Sequence, residues 1–112
     1  MTDLRAQIEA LVALSAADLQ QHSQAPSVVA AHIDGLNDGS IRSAEPVGDT
    51  WHVNTWVKQG ILLGFRLGKN IDMSFAGMPF FDKHTLPLRP LSVDDGVRVV
   101  PGGSAIRTGC YV

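Results

Sequence analysis

WHVNTWVKQGILLGFRLGKN, residues 51–70, is the stretch that decides the fold. From Trp56 to Gly68 it is apolar or glycine except at Lys58, Gln59 and Arg66, and at 100° per residue those three share one stripe. The pattern predicts a helix over residues 54–67, buried on most of its circumference, with Trp56 and Leu63 on its core side. Asn54 is placed to cap it, because a side-chain oxygen there can accept from the free N–H groups of the first turn. Gly68-Lys69-Asn70 is placed to end it. Gly60 and Gly64 each cost about 1 kcal/mol relative to Ala inside a helix, which predicts a backbone or a bulky side chain crossing close by. A bilayer-spanning helix needs about 20 apolar residues, and residues 56–68 fall short. The helix is expected to be the core of a small soluble domain.

Upstream, Leu4, Ile8, Leu11 and Val12 follow helical spacing over residues 3–14, with Thr2 or Asp3 as the cap. Ser15-Ala-Ala-Asp18 resembles a capping box, with Asp in place of Glu, that opens a short second helical turn, and residues 20–24 read as a polar connector. Pro26 suits the first position of a third helix, in which Val29, Ile33 and Leu36 make the buried stripe and Asn37-Asp38-Gly39 the stop. Extended runs at 41–45 and 50–53 flank the turn-rich Pro46-Val47-Gly48-Asp49, which predicts a β-hairpin leading into the central helix. Downstream of Asn70, prolines at 79, 87 and 90 predict an irregular loop held down by Phe75, Phe80 and Phe81. Ser92 through Asp95 reads as a cap and one or two helical turns, ended by Gly96.

The last residues, 98–112, carry a different period. Val100, Ile106 and Val112 are aliphatic at a spacing of six, and Gly103/Gly109 and Ser104/Cys110 repeat at the same interval. A hexapeptide period builds a parallel β-helix, aliphatics inward and small residues at the corners. The sequence stops before one coil of three hexads, as if the larger part followed, and its open edge is expected either to fray or to pair with another molecule.

Composition narrows the function classes. The chain has 112 residues, enough for one modest core. Its net charge of −2, with no Lys/Arg cluster, offers no footprint for nucleic acid. No basic, apolar leader opens the sequence. The single cysteine, Cys110, excludes an internal disulfide and fits a cytoplasmic location. Nothing predicts contact with a membrane.

Four blocks resemble one family. Leu36-Asn37-Asp38-Gly39-Ser40-Ile41-Arg42-Ser43-Ala44-Glu45, the run from Trp51 through Arg66, Phe80-Phe81-Asp82-Lys83, and Gly96-Val97-Arg98-Val99-Val100-Pro101 are similar to the corresponding motifs of the tetrahydrodipicolinate N-succinyltransferases, in the same order and at matching separations. The chain departs from them at Gln59, Gly60, Gly64 and His84-Thr85-Leu86, which bears on the substrate rather than the fold.

The resemblance implies an α+β chain: a small, mostly helical N-terminal domain with a β-hairpin (1–97), followed by the truncated first hexapeptides of a left-handed parallel β-helix (98–112). It implies transfer of succinyl from succinyl-CoA, or of another acyl group from its CoA ester, to the amine of a 2-amino-6-oxopimelate-like amino-dicarboxylate in diaminopimelate and lysine biosynthesis or a related pathway. It also implies a homotrimer for the full-length family, and a monomer or a different oligomer for this chain alone. No bound cofactor and no catalytic residue is expected within these 112 residues, because the family's acidic residues and CoA groove lie in the β-helix. Arg98 is the one substrate-contact candidate, a guanidinium whose fork suits a carboxylate; the alternative is a structural salt bridge. A rival function is a non-catalytic interaction or oligomerisation domain derived from the same family.

The remaining polar residues are read as structural. Arg107 is expected to be solvated, Asp82-Lys83 to form a local ion pair, and Cys110 to fill a small-residue corner. His22, His32, His52 and His84 lack metal-ligand spacing and are expected at the surface or as caps. Trp51 and Trp56 are expected in the core.

Overall fold

In the computed structural model, which describes residues 3–112, helix α4 (Thr55–Leu67) is the element that the other helices pack against. Before it come α1 (Leu4–Val12), α2 (Ala16–Gln21), α3 (Ala25–Asp38) and an antiparallel hairpin of β1 (Ala44–Val47) and β2 (Thr50–Val53). After it come a second hairpin, β3 (Asn70–Asp72) with β4 (Phe81–Lys83), and a single 3₁₀ turn (Val93–Asp95). The core lies between α1, α2, α3 and one side of α4. It contains Ile8, Leu11, Leu19, Val29, Ile33, Leu63 and Leu67, closed from the loop side by Leu86.

The helix ends follow from local chemistry. Asp3 caps α1 by accepting from the Arg5 N–H, Ser15 caps α2 by accepting from the Asp18 N–H, and α3 stops at Gly39, whose φ of +83° suits a residue without a Cβ. The Thr2 alternative lies outside the described residues. Ser92 and Asp95 form the capping box of the 3₁₀ turn, closed by Gly96.

The close crossing expected at the α4 glycines is present, and one of them explains it. A Cβ on Gly60 would lie 2.5 Å from Nε2 of His32, whereas one on Gly64 would make ordinary contacts of 3.6–3.9 Å with Val29 and Leu86. His32 is therefore no surface histidine: it is fully buried, its Nε2 donating to the Val57 carbonyl at 3.0 Å and its ring 5.5 Å from Trp56. Nδ1 is buried without a partner.

Other expectations need correction. Helix α4 turns Val57, Gly60, Leu63, Gly64 and Leu67 inward, and its exposed side takes in Leu62 as well as Lys58, Gln59 and Arg66. Asn54 occupies the N-cap position but its side chain does not cap; Nδ2 donates backward to the Arg42 carbonyl and to Glu45, tying the helix start to the first hairpin. That hairpin turns on Gly48-Asp49 alone, with Pro46 inside β1 opposite Trp51. A two-stranded ribbon tolerates the missing donor. Trp51 is 71% exposed on this ribbon rather than in the core, because all of β2 faces solvent. Residues 70–83 form a hairpin, not an irregular loop. Its phenylalanines are exposed, and the anchor of this region is Leu86.

The tail makes no β-helix coil among the described residues. It is a series of turns with one isolated bridge, Leu88 to Arg107. Of the hexad aliphatics, Val100 and Val112 are exposed and only Ile106 is partly covered. Fewer than three hexads offer no neighbouring coil to bury them against. Nor does the tail hang free: its backbone pairs with residues 87–89 of the same chain, Arg89 N–H to the Ile106 carbonyl at 2.9 Å and Thr108 N–H to the Pro87 carbonyl at 2.8 Å.

The molecule is open for its size. Its accessible surface is 7753 Å², against about 6,000 Å² for a compact monomer of this mass. Its radius of gyration is 15.8 Å, against about 13 Å expected. The excess comes from the hairpins and the tail, where most of the exposed large apolar side chains lie.

Burial of His32 makes stability depend on pH. Desolvation holds the imidazole below its ordinary value of 6.5, opposed only in part by the bond to Val57. Below that ordinary value the unfolded chain binds a proton that the folded chain resists, so stability present above it is lost as pH falls toward the lowered folded value. The urea midpoint should be flat at neutral pH and fall measurably between about pH 6.5 and pH 5. A midpoint unchanged over that interval would contradict the assignment.

Candidate functional site

Residues of distant parts of the chain converge where the tail meets the C-terminal end of α3. Asn37, in the last turn of that helix, is the hub. Its Oδ1 accepts from an Arg89 Nη1 donor and from the Gly109 backbone N–H, both at 2.6 Å, while its Nδ2 donates to the Thr108 hydroxyl at 2.7 Å. Arg89 also donates to the Cys110 carbonyl at 2.9 Å. One side chain of α3 thus holds Thr108, Gly109 and Arg89, and the Arg89 guanidinium is a second clamp on Cys110. Hydrogen bonds to a charged donor are the stronger kind.

Two stacking contacts flank this latch. The Tyr111 ring packs on Gly39, where a Cβ would come within 2.9 Å of it, and carries the Arg42 guanidinium 5.0 Å from its centroid. On the other side Arg107 lies 5.1 Å from the centroid of the Phe65 ring of α4 and donates to Oδ2 of Asp82 at 2.6 Å. The Lys83 backbone N–H, and then Arg107, hold the Asp82 carboxyl below its usual range. Beneath the tail a cleft of about 170 Å³ separates α3 from α4, lined by Ile33, Leu36, Ile61, Phe65 and Leu86.

This geometry corrects two expectations, for Arg107 and Asp82, and meets a third, for His84 and His22. Arg107, though exposed, is engaged by Asp82 and Phe65 rather than free in solvent. Asp82 pairs with Arg107 rather than Lys83, whose ammonium donates to the Gly68 carbonyl at 3.2 Å. His84 and His22 act as caps, accepting at Nδ1 from the Lys69 and Gln24 N–H groups respectively. Cys110 is exposed as a free thiol.

Arg98 stands apart. It is exposed, and the ion pairs found among the described residues are Arg5–Glu9 and Arg107–Asp82. No group of three or more His, Cys, Asp or Glu side chains able to hold a metal occurs among the described residues. No helix among them is long and apolar enough to cross a membrane. The converging side chains at the latch are spent on one another, so their chemistry is to fix the direction of the chain rather than to move a proton.

Sequence reasoning missed Asn37, Arg89 and His32. Asn37 was legible only as a helix stop. Arg89 had a signal, since it is the one charge in Leu86-Pro-Leu-Arg-Pro-Leu91 and a lone cation in an apolar run needs a partner.

Comparison with known proteins places these features in a family. A family model described as tetrahydrodipicolinate N-succinyltransferase N-terminal matches residues 3–67, which hold all four helices and the first hairpin. The 2,3,4,5-tetrahydropyridine-2,6-dicarboxylate N-succinyltransferase of Alteromonas mediterranea is 38% identical over 120 aligned residues, covering 100% of this chain and 43% of that protein. The enzyme of the same name from Cupriavidus necator is 42% identical over 89 residues, 75% of this chain and 32% of its own length. That from Shewanella baltica is 34% identical over 86 residues, 71% and 30% respectively. The chain therefore spans less than half the length of these relatives.

Removing the hub should release the tail without unfolding the helices. Asn37→Ala leaves the Arg89 donor and the Gly109 N–H short of an acceptor, at a cost of about 1–3 kcal/mol. Hydrogen exchange should quicken at Thr108 and Gly109 while core amides of α4 stay protected. Equal acceleration across α4 would make Asn37 a global rather than a local tie.

Proposed function

Because the chain belongs to the tetrahydrodipicolinate N-succinyltransferase N-terminal family, we propose that it is the substrate-side part of an acyl-CoA-dependent N-acyltransferase. Residues 1–97 form the N-terminal domain in this proposal, and residues 98–112 the start of a hexapeptide-repeat region. The reaction is transfer of succinyl from succinyl-CoA, or of a related acyl group, to the amine of a 2-amino-6-oxopimelate-like dicarboxylate in the cytoplasm. The observation that carries the proposal is similarity along the whole chain, tail included, to a protein named for succinyl transfer.

In such a reaction the amine nitrogen attacks the thioester carbonyl carbon. The C–S bond breaks, the CoA sulfur leaves with the electron pair, and the amine proton passes to a base. Donors must face the carbonyl oxygen as it gains charge. We assign neither the base nor those donors to residues 1–112. Their part is to hold the substrate's carboxylate through Arg98 and, through the Asn37–Arg89 latch, to set the direction in which the chain leaves the domain. The exposure of Arg98 suits a side chain whose partner arrives with the substrate.

A second reading, a non-catalytic interaction domain of the same family, is favoured by the excess exposed surface. Both readings expect no turnover from this chain alone. A thiol-release assay with succinyl-CoA and 2-aminopimelate should stay at the buffer rate, and turnover above it would place a catalytic base within these residues. The two readings separate in a polypeptide that continues into the hexapeptide region. There, succinyl transfer marks the enzyme. Arg98→Ala should raise KM for the amino-dicarboxylate far more than for the acyl-CoA, with a loss of roughly 2–4 kcal/mol in transition-state binding. An unchanged kcat/KM would remove Arg98 from the substrate site.

A further inference from the structure

The hairpin of residues 70–83 is built more firmly than an exposed loop requires. Beyond Asp72 its arms remain bonded, Met73 N–H to the Phe80 carbonyl at 2.8 Å, with Phe75 and Met78 exchanging bonds of 3.2 and 2.9 Å. The turn passes through Ala76 and Gly77, both at positive φ, as the twist of a two-residue hairpin turn demands. Asp72 accepts from the Ser74 N–H at 2.8 Å, and Ser74 Oγ accepts from the Phe80 N–H at 3.1 Å. The Phe75 and Phe80 rings stack at 5.2 Å and 16°.

This rigid tip is largely unburied. Ile71, Phe75, Phe80 and Phe81 are exposed, and from Ile71 to Phe81 the only charge is Asp72. An aromatic group already held in one conformation loses little freedom on docking. Aromatic side chains are also the residues that most often dominate protein interfaces.

A receptor for such a tip lies at the other end of the same hairpin. Between α3 and the end of α4 runs an open groove of about 470 Å³, walled by Pro26, Val29, Ala30, Ile33 and Leu67, with Lys69 on its lining. That volume falls within the roughly 300–1,000 Å³ typical of clefts that hold ring-sized ligands. Lys69 supplies the charge opposite to Asp72.

We propose that the hairpin is a self-association element, its Phe75–Phe80 tip entering the α3–α4 groove of a second copy of this chain. The tip and the groove are separated by the length of the hairpin, so within one molecule they do not meet. Different surfaces then face each other across the contact, which is heterologous and propagates into a closed ring or an open chain of copies. The excess exposed surface, roughly 1,800 Å² above a compact monomer, exceeds the ~800 Å² per partner that a stable pair buries. The proposal does not depend on the enzymatic reading.

Sedimentation velocity on the complete chain across the micromolar range tests it. A Phe75→Ser/Phe80→Ser variant loses the tip and keeps the groove; Ala30→Glu does the reverse, at a position exposed on α3. Circular dichroism and thermal melting establish that each variant is folded. The unmodified chain should associate with rising concentration, and each variant should weaken that association at least tenfold. An equimolar mixture of the two should form a heterodimer, since one partner still offers a tip and the other a groove. A chain monomeric at every concentration would overturn the proposal and leave the hairpin to a different kind of partner. So would association indifferent to both variants, or a mixture that restores nothing.

Discussion

The helical half of the molecule depends on how closely α3 approaches α4 at Gly60. An imidazole fills the space where any other residue would carry a Cβ. The Val57 carbonyl can only accept, so the proton that His32 shares with it resides on Nε2, and burial of the ring disfavours a second proton on the unpartnered Nδ1. The buried histidine is therefore a spacer with one polar tie, not a charge. One turn further along, a Cβ on Gly64 would meet Val29 and Leu86 only at ordinary contact distance. Close packing of this kind leaves little freedom for the rest of the core, because interiors are as dense as organic crystals.

From that contact the ordering spreads through the ends of α4. A helix leaves its last carbonyls without intrahelical partners. Here the Thr85 hydroxyl donates to the Gly64 carbonyl at 2.7 Å, Gln20 donates to the carbonyls of Arg66 and Leu67, and Lys83 donates to that of Gly68. Arg66 returns the favour to α1, donating to the carbonyls of Val12 and Leu14 at 3.2 and 2.8 Å. Side chains from three segments thus converge on one helix end. They fix the base of the second hairpin, the approach of Leu86 to the core and the start of the path that ends at the Asn37 latch. The central helix organises the irregular half of the chain through hydrogen bonds as much as through its apolar face.

The features legible in the sequence were those with a period or a local rule. The four helices, the first hairpin, the Asp3 and Ser15 caps and the Ser92–Asp95 box all rest on contacts within a few residues, and the family followed from ordered motifs. What escaped was set by partners far away in sequence. Arg66 looked like part of a solvated stripe because nothing near it shows that α1 needs donors. Asn54 looked like a cap because its neighbours do not reveal that β1 competes for its amide. Asn37, Arg89 and Arg107 find partners 21 to 72 positions distant, beyond any spacing rule. The hexad period in residues 100–112 is real as a pattern. A pattern records the neighbours it was made to pack against, and within these 112 residues those neighbours are too few for a coil.

The same logic explains why the surface is so uneven. The half made by α1–α4 keeps most of its large aliphatics inside, Leu62 and the α3–α4 groove apart. The face made by the hairpins and the tail carries Trp51, Phe81, Val93, Val100 and Tyr111 in the open, yet its backbone is tied down at the latch and in the aromatic hairpin. Loose segments that expose apolar groups are ordinary; ordered ones are not, since ordering a residue costs on the order of 1–2 kcal/mol of backbone entropy. That cost is met here by hydrogen bonds from Asn37, Arg89 and Ser74, which hold apolar side chains outward instead of collapsing them onto the core. An arrangement that spends polar contacts to present apolar ones is a surface prepared for contact.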